Sequence, residues 1–425
     1  MSYHIIGKRI PRHDAEQQVT GKIIYGEDLY RPGMLHAKAL YSEHSHAEIL
    51  SIDTTQAEKL AGVRGIITHK DVPVNRYGLS HKDQPVLADD KVRVKGDALA
   101  VVAADTLEIA KKALKLIKVE YKPLKPVLDP VAAMAEDAPL VHGDSNIAAH
   151  IKIRSGDVEA GFAQSDLIIE ENFYTPKNEH CHIEPHVALA EVENDGKLVI
   201  WTSTSRPFSF STQLTRILKL PMNKYQMKTP AVGGGFGGKN EVTLEPWVAL
   251  LAMKTKRPVR MVFTREEEFE VSTLRHPYLM KYKTGVKKDG TLLAREIRLI
   301  SDNGAYVGLG NQTLTKAAVH AAGPYKIANV KTDAFLVYTN AAVGGAMRGF
   351  GVPQVCFAYE SHTDSIAEKL GLDPLEYRLR TLYGDIGTMP TGQMLQSKPL
   401  IQSLRRAAEL ADYCGKGGDA CEEER

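Results

Sequence analysis

The stretch Ala231-Val232-Gly233-Gly234-Gly235-Phe236-Gly237-Gly238-Lys239-Asn240-Glu241 constrains this chain more than any other. Five glycines in six positions, interrupted by one phenylalanine, give a backbone that can take φ > 0 repeatedly and approach a ligand without Cβ clashes. Val242, Val248, Leu251 and Ala252 then recur at roughly helical spacing, which predicts a helix over residues 241–254. A glycine loop that opens onto a helix N-terminus aims several amides and the positive end of the dipole at one spot. That spot suits an oxyanion, a phosphate or a metal-oxo group; the same composition also fits a plain turn with no ligand. It is not a Walker loop, because Asn240 follows Lys239 where magnesium binding needs a hydroxyl. It is a poor dinucleotide fingerprint as well, since Phe236 sits among the glycines and no acidic residue closes a following strand.

A chain of 425 residues predicts two or three domains with a substantial core. Charged residues make up 25% and the net charge is +2, which marks neither a nucleic-acid nor a membrane partner. No apolar run reaches the roughly 18 residues of a membrane-spanning helix, and the first residues lack the apolar core of a secretory signal. The four cysteines, Cys181, Cys356, Cys414 and Cys421, have no close Cys-x-x-Cys spacing. That pattern predicts a reducing, cytoplasmic setting and argues against an iron–sulfur or structural zinc site in this chain.

Along the chain, residues 20–130 read as a small α/β domain. Strands are predicted at 36–41, 63–68 and 98–104, the last a continuous apolar run of the buried kind. Helices are predicted from an Asp53 or Thr54 cap to near Gly62, and over 107–118, where Leu107, Ala110, Ala113, Leu114 and Ile117 share one face. Pro123, Pro126 and Pro130 suggest a stiff linker. Residues 150–385 read as a larger mixed domain, with strands at 198–203 and 259–263 and a hairpin of 281–286 and 292–300 around Lys288-Asp289-Gly290. Amphipathic helices fit around 374–383 and 400–411, followed by a polar, acidic tail expected to fray.

Two further clusters could carry chemistry. Glu179-His180-Cys181-His182-Ile183-Glu184-Pro185-His186 places three histidines, a cysteine and two glutamates in eight residues. Strand alternation would put His180, His182, Glu184 and His186 on one face, either as metal ligands or as hydrogen-bonding groups in a polar core. Nothing elsewhere in the sequence completes a metal set, which favours the hydrogen-bonded reading. Gly344-Gly345-Ala346-Met347-Arg348-Gly349-Phe350-Gly351-Val352-Pro353-Gln354 frames one arginine and one aromatic among small residues, and can present a guanidinium to an anion or simply turn.

Together the two glycine-rich motifs resemble those of the molybdenum hydroxylases, the family of xanthine dehydrogenase and aldehyde oxidase. GGGFGGK resembles the family's cofactor loop and AMRGFGVPQ its A-F-R-G-F-G-x-P-Q motif, with matching spacing. Residues 20–125, including AEKLAGVRGIIT, are similar to its α/β hammerhead domain. The resemblance implies a mixed α/β (α+β) fold, with a hammerhead domain and N-terminal arm over 1–130 and a first molybdenum-cofactor-binding domain with a polar tail over 131–425. It implies molybdopterin, as the cytosine dinucleotide usual in bacterial members, with a sulfido or selenido ligand on molybdenum and no metal ligand from side chains. Gly235, Phe236, Gly237, Gly238, Ala346, Arg348 and Ser205 are the implied cofactor contacts, with the Phe236 and Gly237 amides facing an oxygen ligand of the metal. Arg348 is the implied catalytic side chain, and Phe208, Asn240, Lys316, Met347 and Phe350 the implied substrate pocket.

Three departures bear on substrate. Ser205 stands where relatives carry a glutamine in W-x-S-T-Q; Asn240 stands where purine-oxidising relatives carry a glutamate; Lys316 aligns with their arginine. These disfavour a purine and favour a smaller or anionic heteroaromatic, on which Phe208 could stack. Family molybdenum subunits continue into a second cofactor domain that carries the catalytic glutamate. The split arrangement resembles nicotinate dehydrogenases of anaerobic bacteria. It implies conversion of nicotinate to 6-hydroxynicotinate with a water-derived oxygen, and electron flow through 2Fe-2S and FAD subunits to NADP. A second molybdopterin subunit would supply the glutamate. The alternatives are a relative acting on a purine, aldehyde or aromatic thioester, a scaffold subunit that only buries the pterin, and a nucleotide-phosphate binder.

Overall fold

The computed structural model describes residues 3–384, 386–395 and 399–413, so Cys414, Cys421 and the polar tail beyond residue 413 lie outside it. Two sheets organise the mixed α/β fold. The first has seven strands in the order Tyr225–Lys228, Leu198–Thr202, Val187–Val192, Val259–Val262, Leu35–Tyr41, Ala98–Ala104, Val63–Thr68. Strands from either side of residue 130 therefore share one sheet, joined where Leu35 pairs in parallel with Val259. The Ala98–Ala104 strand is buried on both faces, as its unbroken apolar run requires. Its period of two sends Val101 and Ala103 into one core and Ala100, Val102 and Ala104 into another. The second core is closed by the Leu107–Leu114 helix, capped by Thr106, which lays Ala110 and Ala113 on the sheet.

The second sheet has five strands in the order Leu167–Thr175, Tyr278–Val286, Leu292–Gly304, Asn329–Tyr338, Ile147–Ser155. Its central hairpin turns at Gly290 with φ +90°, a conformation that glycine alone adopts without strain. The Gly310–His320 and Val352–Leu370 helices cover one face, and Tyr282, Leu299, Leu314 and Val355 meet in one core between them.

The glycine loop does not run straight into its helix. After Gly238 the chain makes one tight turn, Gly238–Asn240, then extends through Glu241 (φ −120°, ψ 143°), and the helix begins only at Glu245. Pro246 fits the delay: it has no N–H to give, so it is tolerated in the first turn and would break the helix if the helix began a turn or more earlier. Residues Glu245 to Ala252 of the Glu245–Thr255 helix are all buried, the mark of a helix enclosed on every side. Leu250 and Leu251 each contribute about 2 kcal/mol by that burial, and the helix becomes a fixed post behind the loop.

Other expectations are shortened or replaced. The helix expected to reach Gly62 is the single turn Thr55–Glu58, and the one expected to reach Lys118 stops at Leu114, because the chain must enter the Lys118–Pro123 strand. That strand pairs with Ala47–Asp53, so the exit as far as Pro123 belongs to a sheet where a linker was expected, and Pro130 opens a one-turn helix capped by Asp129. The histidine-rich segment is not a strand: residues 176–186 are irregular, and Cys181 takes φ +51°. The two C-terminal helices are found as Pro374–Thr381 and Pro399–Leu410. Among the described residues no helix is long and apolar enough to cross a membrane.

Candidate functional site

The glycine loop is held at both ends by one carboxylate. Glu184 Oε2 accepts from the Gly233 amide at 2.7 Å and from Lys239 Nζ at 2.7 Å, and its Oε1 accepts from the Gly26 amide at 3.1 Å. Burial pulls the Lys239 ammonium below its ordinary pKa, while Glu184 works against that fall. The loop beneath its crest rests on histidines. His186 Nε2 meets the Gly238 carbonyl at 3.1 Å while its Nδ1 meets Glu268 at 2.9 Å. His182 is fully buried, its Nδ1 bonded to the Glu184 carbonyl at 2.7 Å and its Nε2 3.6 Å from Glu268. Burial holds His180 and His182 toward the neutral form. The sequence offered no partner for these histidines; Glu268, more than eighty residues away, is that partner, and His186 engages both ring nitrogens in hydrogen bonds.

Tethered at Gly233 and Lys239, the residues between must arch. Gly234 (φ +96°), Phe236 (φ +50°) and Gly237 (φ +111°) all take left-handed conformations. Phe236 projects outward, half exposed, and the amides of Phe236 and Gly237 donate to nothing among the described residues. The second glycine motif closes on this crest. The Arg348 amide donates to the Phe236 carbonyl at 2.8 Å, and His180 Nε2 meets the Ala346 carbonyl at 2.7 Å. A Cβ on Gly237 would stand 2.4 Å from the Ala346 carbonyl oxygen, so only glycine fits. Phe350, at φ +54°, mirrors Phe236 within its own motif. Two aromatic residues held at positive φ, one per loop, are the strained backbone that packed functional sites retain.

The joined loops wall a cleft of about 670 Å³ lined by Phe236, Gly237, Asn240, Ala346, Met347, Arg348, Gly349 and Phe350 together with Arg206 and Leu309. Of the residues singled out in the sequence, Phe236, Gly237, Asn240, Ala346, Met347, Arg348 and Phe350 thus meet in one place. Gly235 and Gly238 are buried beneath the crest, Gly238 against His180. Ser205 is exposed and its amide donates to the Lys239 carbonyl at 3.3 Å. Phe208 is 85% exposed and Lys316 stands on the open side of the Gly310–His320 helix; neither lines the cleft. Arg206 and Leu309 were not singled out; Arg206 follows directly on the Ser205 departure, whereas Leu309 carries no sequence signal.

Glu241 also reads differently in three dimensions. The sequence places it in a first helical turn, ionised by the dipole; it is instead extended and buried, and burial pushes its carboxyl up to about 7, partly offset by the Ala346 and Leu309 amides and Arg206. It is seated between Gly308 and Gly345, where Cβ atoms would stand 2.0 and 2.8 Å from its oxygens, and its Oε1 has no hydrogen-bond partner.

Gly237→Ala is expected to destabilise the chain by about 2 kcal/mol, because a left-handed alanine must also displace Ala346; an unchanged urea midpoint would show that the loops do not touch. For Glu241 the folded pKa of about 7 lies above the ordinary 4.5, so the folded chain holds a proton that the unfolded chain has lost through that window, and stability falls as pH rises across it. Glu241→Gln should therefore gain about 3 kcal/mol over the parent near pH 8. The advantage should vanish below the unfolded value of 4.5. Urea titrations at the two pH values measure it, and a pH-independent difference would remove the titration argument.

Known proteins resemble this chain in sequence and in fold. The molybdopterin cofactor-binding domain family matches residues 141–382, and the aldehyde oxidase and xanthine dehydrogenase a/b hammerhead domain matches residues 20–125. A probable xanthine dehydrogenase subunit of Bacillus subtilis (strain 168) is 43% identical over 96% of this chain and 56% of its own length. The nicotinate dehydrogenase large molybdopterin subunit of Eubacterium barkeri is 39% identical over 96% of this chain and 97% of its own length. The solved aldehyde oxidoreductase of Desulfovibrio gigas superposes with a TM-score of 0.91 at 35% identity, over 95% of this chain and 46% of that one. The chain thus spans about half of two of these relatives and nearly all of the third. With both domains matched and both glycine motifs joined on one cleft, the chain belongs to the molybdopterin-binding oxidoreductase family of xanthine dehydrogenase and aldehyde oxidase.

Proposed function

We propose that this chain is the molybdopterin subunit of a molybdenum hydroxylase that converts nicotinate to 6-hydroxynicotinate. The cofactor is molybdopterin cytosine dinucleotide with a sulfido or selenido ligand. The observation that carries the reading is the joined pair of glycine loops, with two amides at the crest that are unpartnered among the described residues, above a cleft lined by two arginines and, among the described residues, by no carboxylate. Such a lining fits an anionic, oxygen-rich group. Fixed backbone donors serve it without reorganisation. Phe236 and Gly237 would hold the cofactor through their amides, Ala346 and Arg348 would bound it, and Gly235 and Gly238 would allow the close approach. When bound, the cofactor supplies a metal that makes a nucleophile of water at neutral pH and accepts the electrons released.

The chain's own residues position the substrate. Met347, Phe350 and Leu309 give the cleft its apolar wall, and Asn240 offers both a donor and an acceptor to a ring nitrogen or its neighbour. Arg348 presents a guanidinium beside the crest, fixed through its amide to Phe236 and through its carbonyl to Arg275 at 3.0 Å. Removal of a proton requires a base within hydrogen-bond reach. No carboxylate lines the cleft among the described residues, and Glu241 is sealed behind it. A second molybdopterin subunit supplies that base in our reading, with a 2Fe-2S subunit and an FAD subunit carrying electrons to NADP, in the cytoplasm. The match over nearly the whole length of a nicotinate dehydrogenase subunit supports this division.

The test is to purify the assembled complex, analyse it for molybdenum and pterin, and assay nicotinate against purines and aldehydes. Turnover of nicotinate with molybdenum present is expected; turnover by the lone chain would overturn the split site, and a complex that holds molybdenum but oxidises only a purine would overturn the substrate. Arg348→Lys should lower kcat/KM by about tenfold or more, since lysine keeps the charge and loses the planar fork. Wild-type kinetics would show the guanidinium to be unnecessary, and lost assembly with no rate effect would mark a scaffold.

A further inference from the structure

Arg206 is the one residue of the cleft lining that is charged, lies outside both glycine motifs and is held ready for a ligand. Its backbone is fixed on both sides. The Arg206 amide donates to Thr204 Oγ1 at 3.1 Å, and its carbonyl accepts from Phe210 at 3.1 Å as the Pro207–Leu218 helix begins. The preceding residues are fastened to the end of the glycine loop: Thr204 Oγ1 donates to the Lys239 carbonyl at 3.0 Å and the Ser205 amide to the same oxygen at 3.3 Å. Arg206 therefore stands next to Asn240, on the Lys239 side of the loop, whereas Arg348 is fastened to the Phe236 crest.

The guanidinium itself is unengaged. It is half-buried, yet it makes no hydrogen bond and no ion pair among the described residues. Glu241, behind the wall, feels its charge without pairing with it. Five N–H donors in a planar fork, at the wall of a cleft that no carboxylate lines among the described residues, complement an oxyanion that can accept two parallel hydrogen bonds, a carboxylate or a phosphate. The rest of that wall, Leu309, Met347 and Phe350, is apolar and suits a flat ring.

We propose that Arg206 is a specificity-determining residue of this cleft: it binds the carboxylate of a heteroaromatic monocarboxylic acid and orients the ring beside Asn240, while Arg348 serves the cofactor side. The inference deepens the nicotinate reading and rests on it. A phosphate of the cofactor has the same hydrogen-bonding chemistry, so the test separates the two anions.

The assembled complex is prepared as wild type, Arg206→Gln and Arg206→Lys. Binding of benzoate and benzamide, unreactive as substrates, is measured by calorimetry, alongside molybdenum and pterin content and steady-state turnover of nicotinate. Arg206→Gln is expected to weaken benzoate binding by about tenfold, 1.4 kcal/mol, to leave benzamide unchanged, and to raise the KM for nicotinate with kcat nearly constant. Arg206→Lys should fall between the two, since one ammonium replaces a fork. Cofactor content should not move. Equal effects on benzoate and benzamide, or no effect on either, would overturn the assignment. So would loss of cofactor with an unchanged KM, which would give the guanidinium to the cofactor. A wild-type complex that turns over another substrate and not nicotinate defeats the functional reading itself; wild-type turnover of nicotinate with an indifferent Arg206→Gln defeats only this inference.

Discussion

One buried carboxylate, that of Glu184, fixes the geometry on which the site depends. Two segments distant from it in sequence meet on it: the N-terminal arm through Gly26, and the glycine loop through both its start at Gly233 and its end at Lys239. Taking an ammonium and a carboxylate out of water is unfavourable for each alone, and the pair is tolerated because backbone amides satisfy the remaining lone pairs. With the ends of the loop drawn to one anion, the residues between them cannot lie flat. Positive φ at Gly234, Phe236 and Gly237 is the consequence, and it leaves two amides at the crest with no partner among the described residues.

The second motif converts that arch into a wall. At the crest its contacts with the first are backbone contacts, the Arg348 amide to the Phe236 carbonyl and the Ala346 carbonyl against Gly237, so they specify positions and leave those side chains free, while the same Ala346 carbonyl meets the His180 ring. This explains a division of labour between the glycines. Gly237 must be glycine because a carbonyl of the other loop occupies its Cβ position, Gly345 because Thr273 and Glu241 lie there, and Gly344 because His276 does. The aromatic members behave differently: Phe236 and Phe350 accept unfavourable backbone conformations, each of order 1–2 kcal/mol, and are held there by the mutual anchoring of the loops.

Much of this was legible in the sequence and some could not have been. The glycine motifs announce themselves because glycine runs around single aromatics leave few backbone options, and the apolar run of Ala98–Ala104 has no alternative to a buried strand. The residues gathered on the cleft from the two motifs were found by pattern. What pattern could not supply was long-range partnership. Glu268 joins His182 and His186 through the fold, and the histidine segment looked like a strand because alternation was the only order its sequence displayed. Glu241 misled for a related reason: a glutamate after a glycine loop reads as an ionised residue of the first helical turn, but the helix starts only at Glu245 and burial favours the neutral carboxyl. Arg206 carries no local pattern; only its placement beside Asn240 gives it meaning.

The same features make the site incomplete in a physical sense. Two guanidinium groups and two backbone amides at the cleft have no protein partner among the described residues, so a bound anion can engage all four. A ligand that engages them binds the folded chain and not the unfolded one. It therefore stabilises the fold by RT ln(1 + [L]/Kd), about 2.7 kcal/mol at a hundredfold excess over Kd. The loop anchored on Glu184 and the group it holds must then order one another. By that linkage, substitutions at Glu184 or Lys239, which touch nothing in the cleft, act on ligand affinity through the shape of the crest.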